Sequence, residues 1–191
     1  MDRSLEVVGV SYRYPKADAD VLHDVSVRFP TGSFTVLMGP TGAGKSTLLM
    51  TLNGVVPDLK EGTMSGEVHL DGVSLSGFRV QTITEHVGLV LQDPESQILG
   101  RSVAEDVAFG PRNYLVPRAE ITRRVGESLA QVQLAGFEER ETSQLSGGQK
   151  QRLAIAGVLA LHPRVLCLDE PTSELDPAGR DEIYATVDAL R

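Results

Sequence analysis

The segment Gly39-Pro40-Thr41-Gly42-Ala43-Gly44-Lys45-Ser46 constrains this chain more than any other stretch. It fills every fixed position of the P-loop pattern. An apolar run over 34–38 precedes it, and a segment patterned as a helix over 45–52 follows. Glycines let a backbone wrap around phosphate without Cβ clashes. Loop N–H groups that lead into a helix N-terminus favour negative charge. Lys45 is therefore expected to reach the β- and γ-phosphates of a nucleotide, and the Ser46 hydroxyl to ligate Mg²⁺.

The rest of the chain reads as strands alternating with helices. Residues 5–12 alternate apolar and polar, and residues 25–29 do so with Val25, Val27 and Phe29 on one face. Pro30-Thr31-Gly32 marks a turn, and the run 34–38 a buried strand. Asn53-Gly54 stops the helix that follows the loop. Residues 57–66 look loop-like, 67–70 alternate again, and Asp71-Gly72 is a hairpin turn signal. Another short apolar strand covers 87–91. From Ser102 to Gly136 the pattern is helical, with two helices punctuated by Pro111 and Pro117, as in an inserted helical lobe. A helix over 147–161 ends at His162-Pro163, and Val165–Leu168 reads as a buried strand. A last helix starts near Pro177 with Asp176 as its N-cap. This order predicts an α/β fold with a largely parallel sheet.

Two further segments carry chemistry. Val165-Leu166-Cys167-Leu168-Asp169-Glu170 is an apolar strand that ends in two carboxylates. Such a strand delivers acids rigidly to the sheet edge where α/β ligands bind. Asp169 is placed to hold Mg²⁺, and Glu170 to orient or deprotonate an attacking water. In Leu145-Ser146-Gly147-Gly148-Gln149, Ser146 can cap the next helix and the glycines permit close backbone approach. That makes a second helix N-terminus able to receive a phosphate.

Composition sets the outer limits. A chain of 191 residues can bury a real core as one compact domain. No apolar run approaches the roughly 20 residues that span a bilayer, and no signal peptide is evident at the N-terminus. The net charge of −8 argues against nucleic acid as a partner. The single Cys167 excludes an internal disulfide and reads as a buried structural thiol.

Together, residues 39–46, 145–149 and 165–170 resemble the Walker A, signature and Walker B motifs of the ATP-binding cassette (ABC) transporter ATPases, in that family's order and spacing. The resemblance covers nearly the whole chain. It implies an α/β P-loop NTPase (RecA-like) core, an N-terminal antiparallel β subdomain and an inserted helical subdomain. Residues 1–191 then form a single ABC ATPase domain, with 1–92 and 147–191 as the catalytic core with its β subdomain and 93–146 as the helical subdomain. ATP and Mg²⁺ are the implied cofactors. Nucleotide contacts fall on Gly39, Pro40, Thr41, Gly42, Ala43, Gly44, Lys45, Ser46 and Thr47. Ser46, Gln92 and Asp169 are the implied metal ligands, and Glu170, Lys45 and Gln92 the catalytic group.

The resemblance also implies a second ABC ATPase, identical or paralogous, in a head-to-tail dimer. Ser146, Gly147, Gly148 and Gln149 of one subunit then face the γ-phosphate bound to the other. Asp176 lies at the dimer interface in a loop where Glu174 replaces a small residue. Tyr14 sits where the family keeps an aromatic on adenine, with Tyr12 as its competitor. The family's switch histidine follows one further strand beyond Glu170. His23, His69, His86 and His162 all lie upstream and match no such role, so the domain is expected to be incomplete, with its last strands missing.

Residues 93–99 and 103–111, with 53–57, resemble the ATPases of energy-coupling factor (ECF) transporters, which import vitamins and transition-metal ions. That resemblance implies a transmembrane subunit docking near 92–115 and a place at the cytoplasmic face of the membrane. A non-hydrolysing ABC module, a soluble ABC protein of repair or translation, and a P-loop kinase are the competing readings. The acidic composition weighs against the repair and translation proteins, and Leu-Ser-Gly-Gly-Gln against the kinase.

Overall fold

The computed structural model describes residues 4–173 and 175–190. They form two compact units, Met1–Leu89 and Val90–Arg191.

The first unit is built on a four-stranded antiparallel sheet of β1 (Ser4–Arg13), β2 (Leu22–Pro30), β3 (Thr63–Leu70) and β4 (Val73–Ser74), in the order β2-β1-β3-β4. β1 buries Leu5 and Val7, then Val10 and Tyr12, so its inward face changes phase partway along. The cause is a bulge. The register with β2 shifts between Val7 and Val10, where Gly9 takes φ 60°. One extra residue swaps every later side chain to the other face. Gly66 of β3 accommodates it. It has φ 80°, and a Cβ there would lie 2.3 Å from the Gly9 carbonyl oxygen. Asp71 (φ 52°) and Gly72 (φ 79°) close the β3–β4 hairpin in the left-handed pair that a tight two-residue turn requires.

α1 (Lys45–Leu52) follows the glycine-rich loop. It ends at Asn53, whose side-chain amide donates to Val87 O at 2.5 Å, and at Gly54, with φ 81°. Two short helices, α2 (Val55–Asp58) and α3 (Val80–Thr84), are joined by a hydrogen bond from Val80 N–H to the Asp58 carboxylate, 2.9 Å.

The predicted buried strand over 34–38 is not formed. These residues are irregular, with Phe34, Val36 and Met38 at 52%, 63% and 89% exposure. A strand persists only where neighbours form a ladder with its backbone, and no ladder among the described residues includes 34–38. The stretch 57–66, read as loop, contributes its last residues to β3, which starts at Thr63.

β5 (Val87–Val90) ends at the junction of the units. The second unit is largely helical, with α4 (Val103–Asn113), α5 (Arg118–Gln131), α6 (Gly147–Leu159), β6 (Val165–Leu168) and α7 (Pro177–Ala189). Its core joins Val103 and Val107 of α4, Val125 and Leu129 of α5, Leu153 and Ile155 of α6 and Ile183 of α7, with Val90. The expected helical subdomain, 93–146, lies wholly within this unit. Ser102 caps α4 in a reciprocal box with Glu105. Asp106 of α4 is buried and accepts from Leu99 N–H (2.8 Å) and Gly100 N–H (2.9 Å), which clasps the preceding loop to the helix.

Candidate nucleotide-binding site

In the first unit the glycine-rich loop turns on Ala43 N–H donating to Pro40 O at 3.2 Å. Gly42 and Gly44 hold φ 84° and 90°. At Gly44 a Cβ would also lie 2.9 Å from Val21 O, so this position needs glycine twice over. Gly44 is the N-cap of α1 and supplies no side-chain cap. The positive end of the helix therefore faces outward beside an exposed loop, in the arrangement that binds phosphate. Lys45 Nζ folds over that loop, donating to Gly39 O at 3.1 Å and Pro40 O at 3.3 Å. Ser46 is half-buried and Thr47 buried on the first turn.

Thr47 Oγ1 shares a hydrogen bond of 3.0 Å with the Tyr14 hydroxyl. Tyr12 packs edge-on to Tyr14, with ring centroids 4.9 Å apart. Tyr12 is fully buried, and its hydroxyl donates to Lys60 O (3.1 Å) and Glu61 O (2.9 Å). Burial pushes its phenol pKa up. A ring enclosed in this way offers no face to a base, whereas Tyr14 is half-buried beside the first turn of α1.

In the second unit β6 carries Asp169 and Glu170 at its end. Asp169 is buried and its N–H donates to Val90 O at 2.9 Å. Glu170 is exposed and holds φ 43°. That left-handed conformation costs a non-glycine residue about 1–2 kcal/mol, and strain of this kind concentrates at functional positions. The Ser173 N–H donates to Glu170 O at 3.1 Å, and Gln92 Nε2 donates to Ser173 Oγ at 3.2 Å.

The N-terminus of α6 is built by a capping box. Ser146 Oγ accepts from Gln149 N–H at 3.3 Å, and Gln149 Oε1 accepts from Ser146 N–H at 3.0 Å. Ser146 and Gly147 are exposed, while Gly148 is buried within 3.7 Å of Gly179, measured from where its Cβ would be. Asp176 caps α7, accepting from Gly179 N–H at 2.8 Å, with Pro177 in the first turn. Gln92, Glu95, Gly147, Lys150, Pro171 and Leu175 all border one cavity of about 490 Å³.

The predicted residues thus form two groups. Tyr14 and 39–47 meet in the first unit. Gln92, 146–149, Asp169, Glu170 and Asp176 lie in the second. Glu174 lies outside the described residues. Sequence reasoning missed the hydrogen bond from Gln92 to Ser173 and the ion pair between Lys150 and Glu95. Contacts between residues so far apart in the chain leave no periodic trace. The adjacency of Lys150 to the 145–149 motif was the one available signal.

The family model for ABC transporters matches residues 22–173. The chain belongs to the ABC transporter family. A putative ABC transporter ATP-binding protein of Methanosarcina acetivorans is 48% identical over 91% of this chain and 28% of its own length. The energy-coupling factor transporter ATP-binding protein EcfA1 of Lacticaseibacillus paracasei is 44% identical over 100% of this chain and 67% of its own. The structure of cbiO1 from Clostridium perfringens, described as part of the ABC transporter complex cbiONQ, superposes with a TM-score of 0.86. It is 35% identical and covers 100% of this chain, which spans 74% of that one. This chain is an ABC ATP-binding domain with relatives among the ECF transporter ATPases. It spans less than a third of the Methanosarcina relative.

Proposed function

We propose that this chain binds and hydrolyses ATP to energise an ECF-type ABC importer for a vitamin or a transition-metal ion. The observation that carries the reading is the glycine-shaped, uncapped N-terminus of α1, with the Lys45 ammonium over its loop. Similarity to EcfA1 and cbiO1 supports the transporter class.

The donor set suits Mg²⁺, which takes hard oxygen ligands and reaches its coordination number with phosphate oxygens and water. Ser46, Gln92 and Asp169 are the oxygen-bearing side chains that would hold it. Bound there, Mg²⁺ would neutralise charge on the phosphates. Among the described residues no cluster of three or more His, Cys, Asp and Glu side chains marks any other metal centre.

In this reading Lys45 and the α1 terminus bind the phosphates, and Tyr14 stacks on adenine. Glu170 orients a water in line with the γ-phosphate and accepts its proton as the bond to ADP breaks. Ser146 and Gly148 present the α6 terminus to the nucleotide of a second ATPase subunit, and Asp176 lies at that interface.

No described helix is long and apolar enough to cross a membrane. By its similarity to EcfA1 and cbiO1, this chain has a transmembrane partner that docks near 92–115, where Leu99 and Phe109 are 65% and 47% exposed. The place of work is the cytoplasmic face of the membrane. Light scattering of the full-length Glu170→Gln polypeptide tests the reading. ATP is expected to convert it to a stable dimer, alone or mixed with a paralogous ATPase subunit, and an unchanged mass at saturating ATP in both settings would refute the sandwich.

A further inference from the structure

The turn that joins α4 to α5 carries local strain. α4 ends in a closed hydrogen-bond pattern, with Leu115 N–H donating to Arg112 O at 3.0 Å and Val116 N–H donating to Pro111 O at 3.0 Å. That pattern needs a left-handed residue at its apex, and glycine is the residue that takes it without strain. Here the apex is Leu115, with φ 56°. Its side chain is 89% exposed, so packing does not offset the strain. A single exposed leucine is ordinary on a protein surface. An exposed leucine held in a strained conformation is not, and such outliers concentrate at functional positions.

The charges around the apex are one-sided. Residues 107–119 contain Arg112 and Arg118 and no acid, in a chain of net charge −8. Both arginines are exposed, and neither enters an ion pair among the described residues. The acids on either side are engaged elsewhere. Asp106 is buried against the Leu99 and Gly100 N–H groups, and Glu120 is held by Arg123 at 2.6 Å and Arg124 at 2.8 Å. Arg118 also stands at the first position of α5, where the positive end of the helix disfavours a cation. The turn thus offers an apolar apex between two cations that no described acid neutralises.

We propose that the turn 112–118 is a membrane-surface contact, in which Leu115 enters the boundary between headgroups and acyl chains while Arg112 and Arg118 meet anionic lipid headgroups. The inference rests on the reading above that this chain works at the cytoplasmic face of a membrane. Surfaces of this composition bind lipid through buried apolar area together with attraction to anionic headgroups. The cytoplasmic leaflet supplies that negative charge. A protein loop is the poorer match, because the cytoplasmic loops of membrane proteins carry an excess of Lys and Arg. One small tip binds weakly by itself, so the contact orients a subunit already held at the membrane by its transmembrane partner.

Flotation of the full-length polypeptide with vesicles, at millimolar lipid and low ionic strength, tests the contact. Phosphatidylglycerol vesicles are expected to retain the wild type more than phosphatidylcholine vesicles do, and added salt should release it. Arg112→Gln and Arg118→Gln should each lower partitioning onto phosphatidylglycerol about fivefold. Leu115→Gly should lower it at least about threefold. The melting temperature of that variant should equal or exceed the wild-type value, because glycine relieves the left-handed apex.

No retention by phosphatidylglycerol, equal retention by the two lipids, or a Leu115→Gly variant that partitions like wild type would overturn the proposal. In the last case, a loss of affinity for the transmembrane partner in detergent would assign the tip to a protein surface instead. A wild type that floats with vesicles but binds no ATP in titration would contradict the ATPase reading and leave the lipid contact standing.

Discussion

Asp106 offers a quantitative test of how the helical unit is held together. The residue is 7% exposed, and one carboxylate oxygen accepts both the Leu99 and Gly100 N–H groups. Asp106→Ala strands two donors in a tight spot, where a Cβ at residue 100 would lie 2.3 Å from Asp106 N. Each stranded buried donor costs about 1–3 kcal/mol. Water can reach the Leu99 side of the loop, and a desolvated charge is removed, so the net loss is expected near about 2–3 kcal/mol.

Asp106→Asn keeps a carbonyl oxygen for both donors and should cost less than about 1 kcal/mol. Urea denaturation measures both as midpoint shifts at constant slope. Burial raises the pKa of Asp106 in the fold. The folded state therefore keeps its proton to higher pH than the unfolded chain does. This group's contribution is greatest below the unfolded pKa and is lost as pH rises through the folded pKa. The wild-type minus Asn difference should accordingly fall over that window. An Asn variant as damaged as the Ala variant would refute the view that the acceptor, not the charge, is what matters.

Four further outcomes follow from single residues. Tyr12→Phe removes the hydroxyl bound to Lys60 O and Glu61 O and should cost about 1 kcal/mol of stability without changing ATP affinity. Tyr14→Ala should weaken ATP binding by about 1–3 kcal/mol, the scale of base–aromatic stacking, as read by nucleotide titration. Cys167 is buried and its thiol is pushed up to about 12, so a thiol-specific reagent near neutral pH should label it only when denaturant unfolds the chain. Gly66→Ala forces a Cβ against the Gly9 carbonyl at a left-handed φ and should destabilise by about 2 kcal/mol or more in the same denaturation assay.

Elements whose cause is local were legible in the residues. Ser146 and Asp176 cap helices as their sequence positions suggest, and Asp71-Gly72 closes a hairpin, because caps and tight turns are decided within a few residues. The glycine-rich loop was legible for the same reason. The strand over 34–38 was not, since an apolar run says nothing about which neighbours will form a ladder with it. The phase change in β1 also escaped. Val8-Gly9 reads as ordinary alternation until the partner strands show the bulge. At the site, the residues of each motif could be named from sequence alone. The links between motifs, Gln92 to Ser173 and Glu95 to Lys150, are tertiary and appear only in the fold. The buried state of Tyr12 is likewise a packing fact.

ATP hydrolysis is tested most simply by phosphate release from the full-length polypeptide with Mg²⁺ and ATP, compared between wild type and Glu170→Gln. Steady turnover by wild type is expected, with loss of at least about two orders of magnitude in the variant, the scale of a lost general base, and ATP binding retained. Turnover in Glu170→Gln equal to wild type would contradict it.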